Sequence, residues 1–203
     1  MAKDAATQAK ADKNDLLTAI VVGALVIGVL IYDSVQRLGA LFGTAGAVTV
    51  TAPIPSQTIT ATIGDGAPAT TDMATLVVGD VNLISVICLV LAIVLRGLCL
   101  IGVAALGVVL CRRLLGGVVF DQLNARLTLI MSMGLLAAGL AGPWFENMGL
   151  NGVFAALGGD FEDARWLLFR DGIPLFVAAI AVGVLVIVFR RGTRLEKETE
   201  GLV

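Results

Sequence analysis

"LVLAIVLRGLCLIG", residues 89–102, sets an arginine inside an otherwise apolar run, and where that charge sits decides how the chain is threaded. The run begins at Val81 and reaches Cys111 before the basic pair Arg112-Arg113. That is longer than one hydrocarbon core of about 30 Å requires at about 1.5 Å per helical residue. Taking Arg112-Arg113 as one interface places Arg96, sixteen residues earlier, roughly 24 Å along the same helix. From there the guanidinium snorkels to the opposite headgroups. The predicted span is therefore 92–111. Val81 to about Ile93 continues the helix at or beyond the interface, where its apolar side chains need cover from lipid, from an exposed loop or from another protein. A sharper alternative pairs Arg96 with Asp171, which would make the arginine a structural tie between the second and fourth helices.

The rest of the chain fits this frame. It has 203 residues, 58% hydrophobic and 15% charged, with a mean hydropathy of +0.95, well outside the range of soluble domains. Further apolar runs cover 16–32 between Asp15 and Asp33, 127–144 between Arg126 and the pair Gly142-Pro143, and 173–189 between Asp171 and Arg190. The expected fold is an all-α membrane protein with four transmembrane helices and a small extracytoplasmic β-rich insertion between helices 1 and 2. Its parts are an N-terminal tail, 1–15, a membrane domain, 16–192, and a C-terminal tail, 193–203. The first run resembles a signal peptide, with small residues at Ala45 and Ala47. Asp33 and Arg37 separate it from that site, so an uncleaved helix is expected.

Threaded in order, one side of the membrane receives ten of the fourteen cations. The other receives Arg37, Arg165 and Arg170, and Arg96 lies within a span. By the positive-inside bias both termini are cytoplasmic. Tyr32, Trp144 and Trp166 then lie at or beyond the outer ends of spans, where amphipathic rings favour the headgroups.

Within the loop 33–80, "AVTVTAPIP" and "SQTITATI" alternate threonine with apolar or β-branched residues, and "GDG" supplies turn chemistry. These features predict a meander of two or three strands, too small to stand alone, with the extra apolar length of the second helix as its supporting surface. In the second external loop an interfacial helix is expected near Asp163 to Phe169.

The chemistry implied is sparse. Histidine is absent, which removes Ser-His-Asp and Cys-His machinery, and Cys88, Cys99 and Cys111 are too widely spaced on one helix to share a metal. No nucleotide-binding glycine pattern follows a strand, and no carboxylate falls inside a span as a proton-coupled carrier would need. No cofactor, metal, enzymatic activity or direct nucleic-acid contact is expected. The expected partners are membrane lipid and another protein. Small residues at Gly134, Ala138 and Gly142, at Ala24 and Gly28, and at Ala179 and Gly183 suit close helix packing. The chain's own bundle is the favoured use, with a homo-oligomer as the alternative.

The cytoplasmic side carries what remains. "CRRLLGGVVFDQLNARL" joins the second and third helices: Gly116-Gly117 breaks the helix, Phe120 packs back at the interface, and Asp121 is placed to cap the third helix. Together with "FRRGTRLEKETEGLV", this loop forms a candidate docking face through Phe120, Asn124, Arg194, Leu195 and Glu198. Topology and lipid anchoring by the same charges is the plainer reading.

Gly117, Phe120 and Asn124 before the third span, with that tail after the fourth, resemble the bacterial membrane family catalogued as domain of unknown function 2975. The likeness covers about residues 16–203, although Val118-Val119 stand where family members typically carry a small residue or proline before the phenylalanine. It implies a bacterial plasma-membrane protein that lacks an assigned activity and catalytic residues. Some relatives are encoded beside small helix-turn-helix regulators. The expectation is a non-enzymatic interaction or regulatory protein that docks a cytoplasmic partner through the 112–126 loop and the tail. The alternatives are an accessory subunit of a larger membrane complex and, less favoured, a small transporter or channel.

Overall fold

The structure is a computed structural model and describes residues 2–60, 66, 68–159 and 165–200. The elements run α1 (Ala2–Leu41), β1 (Ala47–Thr60), β2 (Pro68–Gly79), α2 (Leu83–Leu115), α3 (Gln122–Ala156), α4 (Arg165–Arg170) and α5 (Ile173–Glu200). The protein is mostly helical, with a two-stranded sheet between α1 and α2. Helices α1, α2, α3 and α5 are each long and apolar enough to cross a membrane. Every one of them outruns the apolar segment that identified it. The most informative case is α3, expected to close at Gly142-Pro143 but helical as far as Ala156.

Proline in a helix removes one N–H and leaves the carbonyl four residues earlier, here that of Gly139, without its usual donor. The residue set against this carbonyl is Gly172, where even a Cβ would come within 2.7 Å of the Gly139 oxygen. A side chain at position 172 would thus collide with the carbonyl that Pro143 exposes. The true end of α3 lies at Gly158, at φ 75°, where Gly158 N–H donates to Ala155 O and Gly159 N–H to Phe154 O. This is the Schellman pattern that terminates helices. The same pattern ends α2: Gly117 has φ 80°, its N–H donates to Leu114 O, and Val118 N–H donates to Arg113 O.

The chain packs as two compact units. One comprises Asp33–Arg96 and Gly139–Ile173, and its core joins the hairpin to helix ends. Strands β1 and β2 pair antiparallel from Ala47 opposite Gly79 to Pro53 opposite Met73; the register then shifts, and pairing resumes at Gln57 opposite Thr71. Pro53 stands at the edge of that irregularity and Pro55 within it, as expected of residues with no N–H for the ladder. Two strands form among the described residues, and much of the anticipated "GDG" turn lies outside them. The period-two pattern turns Val48, Val50, Ala52 and Val78 inward, while Thr51 and Thr75 meet across the opposite face at 3.3 Å. The inward set shares one core with Leu41, Leu89, Leu150, Val153 and Leu168. The first half of α2 is therefore the hairpin's support, as its excess apolar length suggested. Asn82 starts that helix, its Oδ1 accepting the Ser85 N–H at 2.8 Å. Of the anticipated interfacial helix, Asp163 and Ala164 lie outside the described residues; α4 supplies Leu168 to the core.

The other unit comprises Met1–Tyr32, Gly97–Ala138 and Pro174–Val203. The apolar window of α1 has no buried residue, and Leu17, Val21, Leu25 and Val29 all face outward. Its close approach is at Gly23, where a Cβ would lie 2.6 Å from Val108 Cγ2, whereas nothing stands within 4 Å of such an atom on Gly28. Gly23 thus fills the role expected of Ala24 and Gly28. The pair on α5 packs as expected: Ser132 Oγ donates to Ala179 O at 2.8 Å and would lie 3.2 Å from a Cβ on Gly183.

Candidate functional site

The α2–α3 turn is built around Asn124, which is 0% exposed. Its Nδ2 donates to Val118 O at 2.8 Å and Val119 O at 2.9 Å, and its Oδ1 accepts from Arg113 Nε at 2.7 Å. Arg113 also pairs with Asp121. One turn on, buried Thr128 donates to the Asn124 carbonyl at 2.8 Å. Every polar atom of the Asn124 side chain is satisfied inside the turn, as a buried amide requires. Asn124 therefore shapes the loop and offers no surface to a partner. Asp121 does precede α3, and its carbonyl accepts the Ala125 N–H, but its carboxylate is turned to Arg113.

Phe120 sits where the sequence placed it, folded back, and what it meets is the end of α5. A Cβ on Gly192 would lie 2.8 Å from Phe120 Cγ, so the ring rests on the glycine of "FRRG". This contact joins the loop to the tail. Phe120 keeps 43% exposure and Leu195 62%, and Arg194 Nε meets Glu198 Oε1 at 3.0 Å one turn on along α5.

A pocket of about 550 Å³ opens beside this contact, lined by Gln122, Ala125 and Arg126 from the first turns of α3 and by Arg190, Thr193, Arg194 and Glu198 from α5. Three arginines and one glutamate are in this lining. Among the described residues neither Arg126 nor Arg190 has an ion-pair partner. Arg194 and Glu198 are legible in the sequence as site residues; Arg126 and Arg190 read there only as topology signals and Gln122 carries no signal, because their convergence depends on which helix ends come together.

In the other unit, Arg96 lays its aliphatic stem over Gly142, whose Cβ position is 3.2 Å from Arg96 Cβ and 3.4 Å from Cδ. Glu146, one turn beyond Gly142, is a half-buried carboxylate of the same unit, and among the described residues no ion pair joins it to Arg96. Asp171 has its ion-pair contact with neighbouring Arg170, at 3.9 Å, and the anticipated Arg96–Asp171 pair is not among the described ion pairs. The stripe Gly134, Ala138 and Gly142 is a packing face: a Cβ on Gly134 would stand 2.8 Å from Val103 Cγ2, Ala138 is 1% exposed, and Gly142 takes Arg96. The packing face continues beyond Gly142. A Cβ on Gly149 would be 2.5 Å from Leu89 Cγ, and one on Gly152 would be 2.5 Å from Ser85 Cβ.

The described residues contain no cluster of three or more metal-ligating side chains. No protein-family model matches the chain, and neither does a curated protein or a solved structure.

Proposed function

We propose that this is a multi-pass membrane protein, with both termini cytoplasmic, whose α2–α3 loop and α5 tail form a docking face for a cytoplasmic protein partner. The observation that carries the reading is the seating of Phe120 on Gly192, which makes one surface of two segments far apart in sequence. Around that contact Phe120, Leu195, Arg194 and Glu198 present an apolar centre with a charged rim, the usual anatomy of a protein interface. The bacterial plasma membrane and membership of the family of domain of unknown function 2975 belong to the same proposal, on the motifs around Gly117, Phe120 and Asn124. Asn124 contributes from inside the turn. No step of a reaction is assigned.

Affinity capture of the full chain in mild detergent, compared with Phe120→Ala and with a chain ending at Arg191, tests the reading. The expected result is a defined soluble partner lost from both variants while the protein still inserts and elutes as a single species. Retention of all partners by both variants would overturn it. A second reading, accessory subunit of a larger membrane complex, is favoured by the uncovered apolar surface of α1; it predicts a membrane assembly indifferent to the tail.

A further inference from the structure

We infer that the pocket between the start of α3 and the end of α5 binds a phosphate group, held by Arg126, Arg190 and Arg194 and supplied by an anionic phospholipid headgroup or a soluble phosphate compound. This goes beyond the docking of a protein partner and does not require one.

Charge comes first. Three arginines line one opening, and only Arg194 has a partner there, Glu198 at 3.0 Å on its Nε. The terminal NH₂ groups of Arg194 and the whole guanidinium groups of Arg126 and Arg190 remain as donors in the planar fork that suits phosphate oxygens. The backbone adds to them. Gln122 opens α3, and the first N–H groups of a helix have no acceptor within it, so the positive end of the α3 dipole lies at this pocket. Asp121, the nearest carboxylate before that helix start, is held by Arg113.

Size and position fit as well. A volume of about 550 Å³ lies within the usual range of small-ligand pockets, roughly 300–1,000 Å³. That leaves room for a phosphodiester and its glycerol. Arg126 immediately precedes the apolar run 127–144 and Arg190 immediately follows 173–189, so both stand at the depth of a leaflet's headgroups when these helices span. Glu198 is the opposing charge. It competes for Arg194, and its neutralisation should strengthen binding.

The test uses the purified full chain in a non-ionic detergent. Native mass spectrometry reads retention of phosphatidylglycerol against phosphatidylcholine, and thermal unfolding reads stabilisation by inorganic phosphate. Phosphatidylglycerol should be retained preferentially, and about a hundredfold less by Arg126→Gln/Arg190→Gln, since each of the two charge-assisted hydrogen bonds lost is worth about a factor of ten. Glu198→Gln should raise retention. Preferential lipid retention that excess inorganic phosphate does not reverse assigns the headgroup. Stabilisation by inorganic phosphate, lost in the double variant, assigns a soluble phosphate compound. Neither effect, or effects that persist in a double variant with unchanged helicity and elution, would overturn the inference. Should the double variant not fold, Glu198→Gln decides: no gain in either readout sinks the proposal.

Discussion

At the scale of single residues the two most informative side chains are both polar and both structural. Asn124, fully buried, places its amide against two carbonyls and one guanidinium. Asn124→Ala should therefore destabilise the folded protein by about 2 kcal/mol, the cost of buried groups left without partners. Reversible denaturation in mixed micelles would measure it, and a loss under about 0.5 kcal/mol would show that water enters the turn. The loop sequence could not reveal this burial, because a polar residue between a Gly-Gly break and a basic residue reads as exposed until Arg113 is seen to reach across eleven positions. Arg96 stands out in the sequence as the odd charge, but its surroundings do not. Its stem needs the gap at Gly142, and the half-buried carboxylate of Glu146 follows one turn later, just past the predicted end of the third span. A double-mutant cycle separates the readings. Arg96→Met, which keeps the stem, should couple to Glu146→Gln by at least about 0.5 kcal/mol and to Asp171→Asn by less; the opposite order would restore the pairing with Asp171.

At the scale of elements, the four long helices were legible because apolar runs of this length have few other uses. Their ends were legible only where the stop signal is local. Gly116-Gly117 ended α2 as expected, since a glycine at C′ acts through its own backbone. Gly142-Pro143 failed as a stop because α3 is packed on both sides of the proline, with Pro143 itself fully buried and Gly172 fitted to the Gly139 carbonyl. The glycine seam of α3 shows the same division. Gly134, Ala138 and Gly142 stand four apart within an apolar run, whereas Gly149 and Gly152 follow Glu146 and Asn147 and look like loop. Overpacking that seam gives a prediction for the element. Gly149→Leu should cost about 1–3 kcal/mol, because Leu89 belongs to the hairpin core and cannot withdraw freely. The same change at Gly28, where the space is open, should leave stability within about 0.5 kcal/mol of wild type. Equal effects at the two sites would mean that the seam does not pack as described.

For the whole molecule, the distribution of charge and the distribution of pockets bear on the same question, which side of the membrane each helix end occupies. The pocket gathers Arg126 and Arg190, the last charges before one apolar run and the first after another, so the start of α3 and the end of α5 lie together. Helix ends that lie together share a membrane face. In the proposed topology the positive-inside bias puts that face in the cytoplasm, and one crossing by α2 would put the hairpin on the opposite side. This topology is directly testable. Thr58 is exposed on the hairpin and Arg194 on the tail, while the native Cys88, Cys99 and Cys111 are buried or half-buried and should give little background. With cysteine introduced at one site at a time, a membrane-impermeant maleimide should label Thr58→Cys in intact cells and Arg194→Cys only after the membrane is opened. The reverse pattern would invert the protein and leave the arginine pocket facing outward, where no cytoplasmic partner could reach it. Labelling of both sites in intact cells would mean an odd number of crossings between residues 58 and 194 is wrong, and with it the assignment of α2, α3 and α5 as three spans.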